Sequence, residues 1–257
     1  MSSPAAASTD PATRQRLLDA AGEVFAEQGF RAATVRAICT RARANVAAIH
    51  YHFGDKEQLY REVLEHALQT ALQRYPPDLG VQPGASAEER LRAFVRSFLL
   101  RVLDESVPSY LFRMMTREMI EPTRALDGLV ERVQRPLFER LRTIVAELLG
   151  PDASAREVVL CCQSVVGQCI FYRHCQPVIA RMRHFADGAE PSIDDLADHI
   201  ARVSLAGIRA YRGEGDDSPS DARRAREARS VRETQPENDA PAENGAKPER
   251  KRPGRKP

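Results

Sequence analysis

The sequence predicts an all-α protein. Apolar residues recur at three- and four-residue spacing along most of its 257 residues, strand-like alternation is almost missing, and helix start and stop signals punctuate the chain. Asp10 followed by Pro11 pairs an N-cap with a first-turn proline, opening a helix with the stripe Leu17, Ala20, Ala21, Val24 and Phe25. Gly29 and Phe30 close it, a C-terminal glycine with an apolar residue behind it. A second helix starts at Thr34 and carries Val35, Ile38, Cys39 and Ala42. A third starts at its cap Asn45, carries Ile49 and Phe53, and stops at Gly54. Helices this short are not stable alone; they make sense packed across a support with the other face offered to a large ligand. Asp55 to Gln58 resembles a capping box and opens a fourth helix to about residue 74.

Residues 75–86, rich in Pro and Gly, read as a loop and a mobile seam. Helices are then predicted over 87–103, 109–120, 126–149, 155–175 and 192–211, with Pro136 kinking or splitting the third of these. From Gly213 onward the chain is charged and rich in Pro, Ser and Ala, and is predicted to be disordered. This gives a flexible start at 1–12, a three-helix helix-turn-helix domain at 13–60, a larger helical domain at 61–211 and a tail at 212–257.

Composition narrows the function classes. No run of eighteen apolar residues appears, so no membrane span is expected. Met1 to Thr9 has no apolar core of the kind a secretory signal needs, which points to the cytoplasm. Cys39, Cys161, Cys162, Cys169 and Cys175 show no CxxC spacing and are expected reduced and mostly buried. With His174 they match no zinc motif, and Cys169 with His174 or His199 lacks an orienting third group for nucleophilic catalysis. No metal, cofactor or enzymatic activity is expected. The net charge is only +2, so any affinity for nucleic acid must come from local placement of charge.

That placement falls on residues 34–56. A third helix lying in a major groove would expose Val46, Ala47, His50 and Tyr51. Val46 and Ala47 allow close approach and contact with thymine methyls, while His50 and Tyr51 donate to base acceptors or phosphates. Thr34 offers a hydroxyl and a free backbone N–H to a phosphate, and Arg36 reaches a base edge or phosphate. Lys56, in the first turn of the fourth helix, reads as a phosphate clamp, and His52 either shares this surface or covers the junction behind it.

Gly29, Phe30, Thr34, Tyr51, His52, Phe53, Lys56 and Leu59 together resemble the pattern of the TetR family of bacterial regulators. The resemblance implies that Thr34, Arg36, Asn45, Val46, Ala47, Ala48, His50, Tyr51, His52 and Lys56 occupy DNA-facing positions. Two residues depart from the pattern. Arg43 stands where the turn usually carries Gly, at a cost of about 1 kcal/mol if its backbone is left-handed. His50 replaces the common Tyr, so operator preference does not transfer.

The segments 111–141 and 162–177 are similar to the C-terminal domain of CecR-like regulators within that family. Helix 155–175 is apolar nearly all round, and the resemblance implies that with helix 192–211 it forms a four-helix bundle with a second copy. A pocket is expected between this pair and helices carrying Phe98, Phe112, Met115, Met119 and Phe138, with Gln168, Tyr172 and His174 as polar candidates. Arg113, Arg117, Glu118 and Glu121 read as ion-pairing residues rather than ligand contacts. The tail carries six Lys/Arg and one Glu in residues 247–257, and Arg252 to Pro257 resembles a scrambled minor-groove hook. The expected function is a ligand-released, homodimeric repressor of operator DNA. The alternative is an architectural DNA-binding protein that uses the tail and has no effector.

Overall fold

The computed structural model describes residues 11–183 and 190–213, and these residues are helical without a strand. Asp10, the remainder of the N-terminus and the tail from residue 214 lie outside them, so the expected cap, the disorder of the tail and its hook fall outside them too. Helix α1 runs Pro11–Ala32 and contains Gly29 at φ 78, where the helical path breaks near its end. Short helices α2 (Val35–Ala42) and α3 (Val46–Phe53) follow, then α4 (Lys56–Arg74). Leu17, Leu18, Phe25, Ile38, Ile49, Leu59 and Tyr60 close a first core, in which the Phe25 and Tyr60 rings meet edge to face at 4.8 Å.

This core does not end with the first four helices. Helix α5 spans Ala87–Leu103 and α6 spans Ser109–Ile120, and Tyr110, Leu111 and Met114 of α6 are buried against α1 and α4. At Gly22 a Cβ would meet the Tyr110 ring at 2.6 Å, so α1 and α6 pack closely only because the position is glycine. A second core joins α5, α8 (Arg135–Leu149), α9 (Ala155–His174) and α11 (Ile193–Gly213) through Leu91, Val95, Leu99, Leu141, Val145, Cys162, Val165 and Ile200.

Pro136 acts as expected. The predicted helix 126–149 is instead α7 (Arg124–Leu129), a π-helical turn Val130–Gln134, and α8. Proline cannot donate to the carbonyl four residues back, and Arg135 N–H closes a wider loop onto the Val130 carbonyl. Helix α10 (Gln176–Arg183) was not expected. Pro177 reads as a terminator, but it occupies a first-turn position, where a missing N–H costs nothing. Cys39, Cys161, Cys162 and Cys169 are buried and Cys175 half-buried, all as free thiols. No helix of the described residues is long and apolar enough to cross a membrane.

Candidate nucleic-acid interface and effector domain

Thr34 caps α2: its Oγ1 accepts the Ala37 N–H at 3.1 Å, leaving its own hydroxyl proton to donate. Around it lies an open hollow of about 550 Å³ lined by Thr34, Arg36, Ala37, Thr40 and Arg41. Arg41 is held by both oxygens of Glu27 at 2.9 Å, which leaves exposed Arg36 without an ion-pair partner among the described residues. The turn to α3 passes through Arg43 at φ 50, ψ 46, a left-handed conformation, with Ala44 N–H closing onto the Cys39 carbonyl at 3.0 Å. A side chain there costs about 1–2 kcal/mol, part of which glycine would give back as extra unfolded-state entropy. Arg43→Gly is therefore expected to stabilise the protein by about 0.5–1 kcal/mol, and Arg43→Ala not at all, as measured by urea unfolding.

Asn45 caps α3 by accepting the Ala47 N–H at 3.0 Å. Ile49 and Phe53 face the core, while Val46, Ala47, His50 and Tyr51 are exposed, Tyr51 at 63%. Ala48 does not belong with them. It is 6% exposed and packs into the first core, because it lies on the Ile49 side of the helix. His52 is half-buried, its Nε2 sealed without a partner among the described residues and its ring 5.0 Å from that of Tyr51, so it covers the junction rather than facing outward.

His50 carries a more specific instruction than expected. Its Nδ1 lies 2.7 Å from the Gly54 carbonyl oxygen, which can only accept. The neutral ring therefore carries its proton on Nδ1 and presents Nε2 as an acceptor. Such a ring suits an amino group on a base edge, adenine N6 or cytosine N4, and not the base acceptors assigned to it above.

Lys56 also departs from its expected role. Its ammonium donates to the carbonyls of Phe30 at 2.9 Å, Ala33 at 3.0 Å and Arg31 at 3.4 Å, and sits 4.7 Å from the Phe30 ring centre. Three protons meet three carbonyls at the end of α1, so the side chain ties α1 to α4 and is not free to clamp a phosphate. Asp55 caps α4 through the Gln58 N–H at 2.8 Å, but Gln58 reaches Glu62 instead of returning to the cap, so the capping box is half made.

The eight expected ligand residues are not brought together. Phe98, Phe138 and Tyr172 pack on the second core, Met115 on the first, and Met119 is 60% exposed. Gln168 donates to Ser204 of α11 at 3.1 Å. Phe112 and His174 meet edge to face at 4.9 Å, with the Arg173 guanidinium 4.6 Å from the Phe112 ring. Arg113 pairs with Glu23 of α1, and Arg117 donates to the Ala26 and Glu27 carbonyls, so these charges bridge helices instead of facing a ligand. Glu118, 1% exposed, accepts the Tyr60 hydroxyl at 2.6 Å and the Thr123 N–H at 2.9 Å.

Sequence reading missed Arg101, a single cation in the apolar stretch of α5, buried with Ser97 and donating to the Tyr75 carbonyl at 2.9 Å. Its spacing of seven from Phe94 and three from Phe98 was the available signal. Burial pushes the thiols of Cys162 and Cys169 up to about 11 and about 12, so both stay protonated and poor nucleophiles.

Two family descriptions match the chain in succession: bacterial regulatory proteins of the tetR family over residues 17–63, and the C-terminal domain of the HTH-type transcriptional dual regulator CecR over residues 87–208. The chain belongs to the TetR family. Within the family it is of the CecR-like type and is a transcriptional regulator. It is 29% identical over 187 residues to the HTH-type transcriptional dual regulator CecR of Shigella flexneri, covering 67% of this chain and 81% of that one. It is 31% identical over 141 residues to the HTH-type transcriptional repressor NicS of Pseudomonas putida, covering 49% of this chain and 62% of that one. A TetR-like transcriptional regulator from Rhodococcus sp. RHA1 shares the fold at TM-score 0.56 and 21% identity, over 77% of this chain and 96% of that one.

Proposed function

We propose that this TetR-family regulator is a cytoplasmic, homodimeric repressor that binds a pseudo-palindromic operator and is released from it by a small molecule. Residues 13–60 read the DNA and 61–211 bind effector and second copy. The reading rests on one observation above all: two short capped helices joined by a left-handed turn bury Ala48, Ile49 and Phe53 and expose Val46, Ala47, His50 and Tyr51. Nothing in the fold requires that exposed surface, and a major groove admits an α-helix. Thr34 and Arg36 flank it toward the phosphates. Two copies would place their α3 helices about 34–36 Å apart, one helical turn of DNA.

The dimer surface is the outer face of α9 and α11. Leu160 and Phe171 on α9, with Val203 and Tyr211 on α11, stay exposed, and an added Cβ at Gly167 or Gly207 would meet open space. Large apolar residues interleaved with glycines favour close approach by a second copy. The test is a footprint on the DNA flanking the protein's own gene, with the full chain and with a chain ending at Gly213. The same protected pseudo-palindrome is expected from both. Protection by the full chain alone would support the architectural alternative, in which the tail binds.

A further inference from the structure

Arg101 of α5 is buried beside the second core, keeping 7% of its surface exposed, yet it pairs with no acid among the described residues. Its Nη1 donates to the Tyr75 carbonyl at 2.9 Å and to the Ser97 hydroxyl. The Phe98 ring centre lies 5.6 Å from its guanidinium carbon, Phe94 stands 6.5 Å beyond, and the neighbouring polarizable group is the Cys169 thiol. Burial alone depresses the guanidinium pKa to about 10, with no carboxylate to raise it. A buried cation of this kind is costly unless its charge is compensated. The Tyr75 carbonyl, at the negative end of α4, compensates one side only. The other side, Nε and Nη2, makes no hydrogen bond to a described residue and, unlike the sealed Nε of Arg90 and Arg173, is reached by solvent. That edge is the fork that accepts two carboxylate oxygens side-on.

We propose that Arg101 anchors the effector and that the effector is an apolar organic carboxylate, its acid group on the Nε/Nη2 edge and its hydrocarbon body along Phe98. This deepens the ligand-released reading above and rests on it. The same guanidinium holds the carbonyl at the end of α4, the helix that begins beside α3. An arriving carboxylate competes with Tyr75 for Arg101, loosens that end of α4 and so disturbs the seating of the recognition helices.

The experiment uses the full chain, octanoate and benzoate as probes, and octanamide and benzamide as their neutral counterparts. At saturation the carboxylates are expected to raise Tm by roughly 3 °C or more and the amides not at all. Arg101→Met is expected to lose that rise, and Arg101→Lys, which keeps the charge but not the fork, to retain only part of it. Three results would each overturn the site: no rise with either carboxylate, equal rises with acid and amide, or a full rise in Arg101→Lys. If Arg101→Met fails to fold, the lysine variant decides alone. Operator binding followed by fluorescence anisotropy separates this site from the release reading. Carboxylate binding without operator release keeps the site and removes the release; release by a neutral compound does the reverse.

Discussion

Glu118→Ala is expected to lower stability by about 3 kcal/mol, the largest loss anticipated for a single residue outside the apolar cores. The carboxylate accepts the Tyr60 hydroxyl from α4 at 2.6 Å, and the Thr123 N–H and hydroxyl at 2.9 and 3.0 Å from the start of α7. Tyr60 is 2% exposed, so its hydroxyl has no water to turn to once Glu118 is gone. Leaving one such group unsatisfied costs about 1–3 kcal/mol, and the lost Thr123 bonds and the small cavity add to it. Tyr60→Phe should cost less, about 1–2 kcal/mol, because Glu118 keeps its Thr123 donors. Tyr60→Phe with Glu118→Leu, which removes both partners and keeps the volume, should recover part of the loss. The pH dependence has a definite sign. Burial and the Glu118 carboxylate push the Tyr60 phenol above its usual range, so the folded state holds the proton longer than the unfolded chain does. The pair's contribution is therefore full below about pH 10, where unfolded tyrosine ionises, and declines above it. Urea unfolding checks the series; a loss below 1 kcal/mol in Glu118→Ala would mean that water replaces the carboxylate.

That node also shows where sequence reading stops. Most of the helices, the Thr34 and Asn45 caps and the break before Pro136 are written in residues within five positions of one another, and these local codes carry through to the fold. Glu118 was visible only as one charge in an apparent i,i+3 pattern, while its decisive partner is 58 residues away. Lys56 is the same case. From its own helix it looks like a free ammonium at a positive helix end, and only the folded chain brings the carbonyls of Phe30 and Ala33 to it. Ala48 failed for a different reason. Only the family resemblance put it among the DNA-facing residues; the helical spacing exposes Val46, Ala47, His50 and Tyr51 and leaves Ala48 on the Ile49 side, where it is buried. The expected ligand residues were chosen by character, not by position; Phe98, Phe138 and Tyr172 went to the second core, Met115 to the first, and Met119 to the surface.

At the proposed DNA surface the largest effect is expected from Tyr51→Ala. The side chain is 63% exposed and contacts chiefly His52, so stability should change by no more than about 0.5 kcal/mol. Affinity for the operator should fall about 10–100-fold, while affinity for unrelated DNA stays nearly constant, because a base contact discriminates and a phosphate contact does not. His50→Ala should behave differently in two respects. It removes the bond to the Gly54 carbonyl that closes α3, so about 1 kcal/mol of stability goes with it. It also removes an acceptor, so the variant should stop preferring adenine or cytosine at one operator position without gaining a preference elsewhere. Competition binding across single-base operator variants distinguishes these outcomes. A uniform loss on every sequence from either substitution would assign that residue to the phosphates and leave Val46 and Ala47 as the readers of sequence.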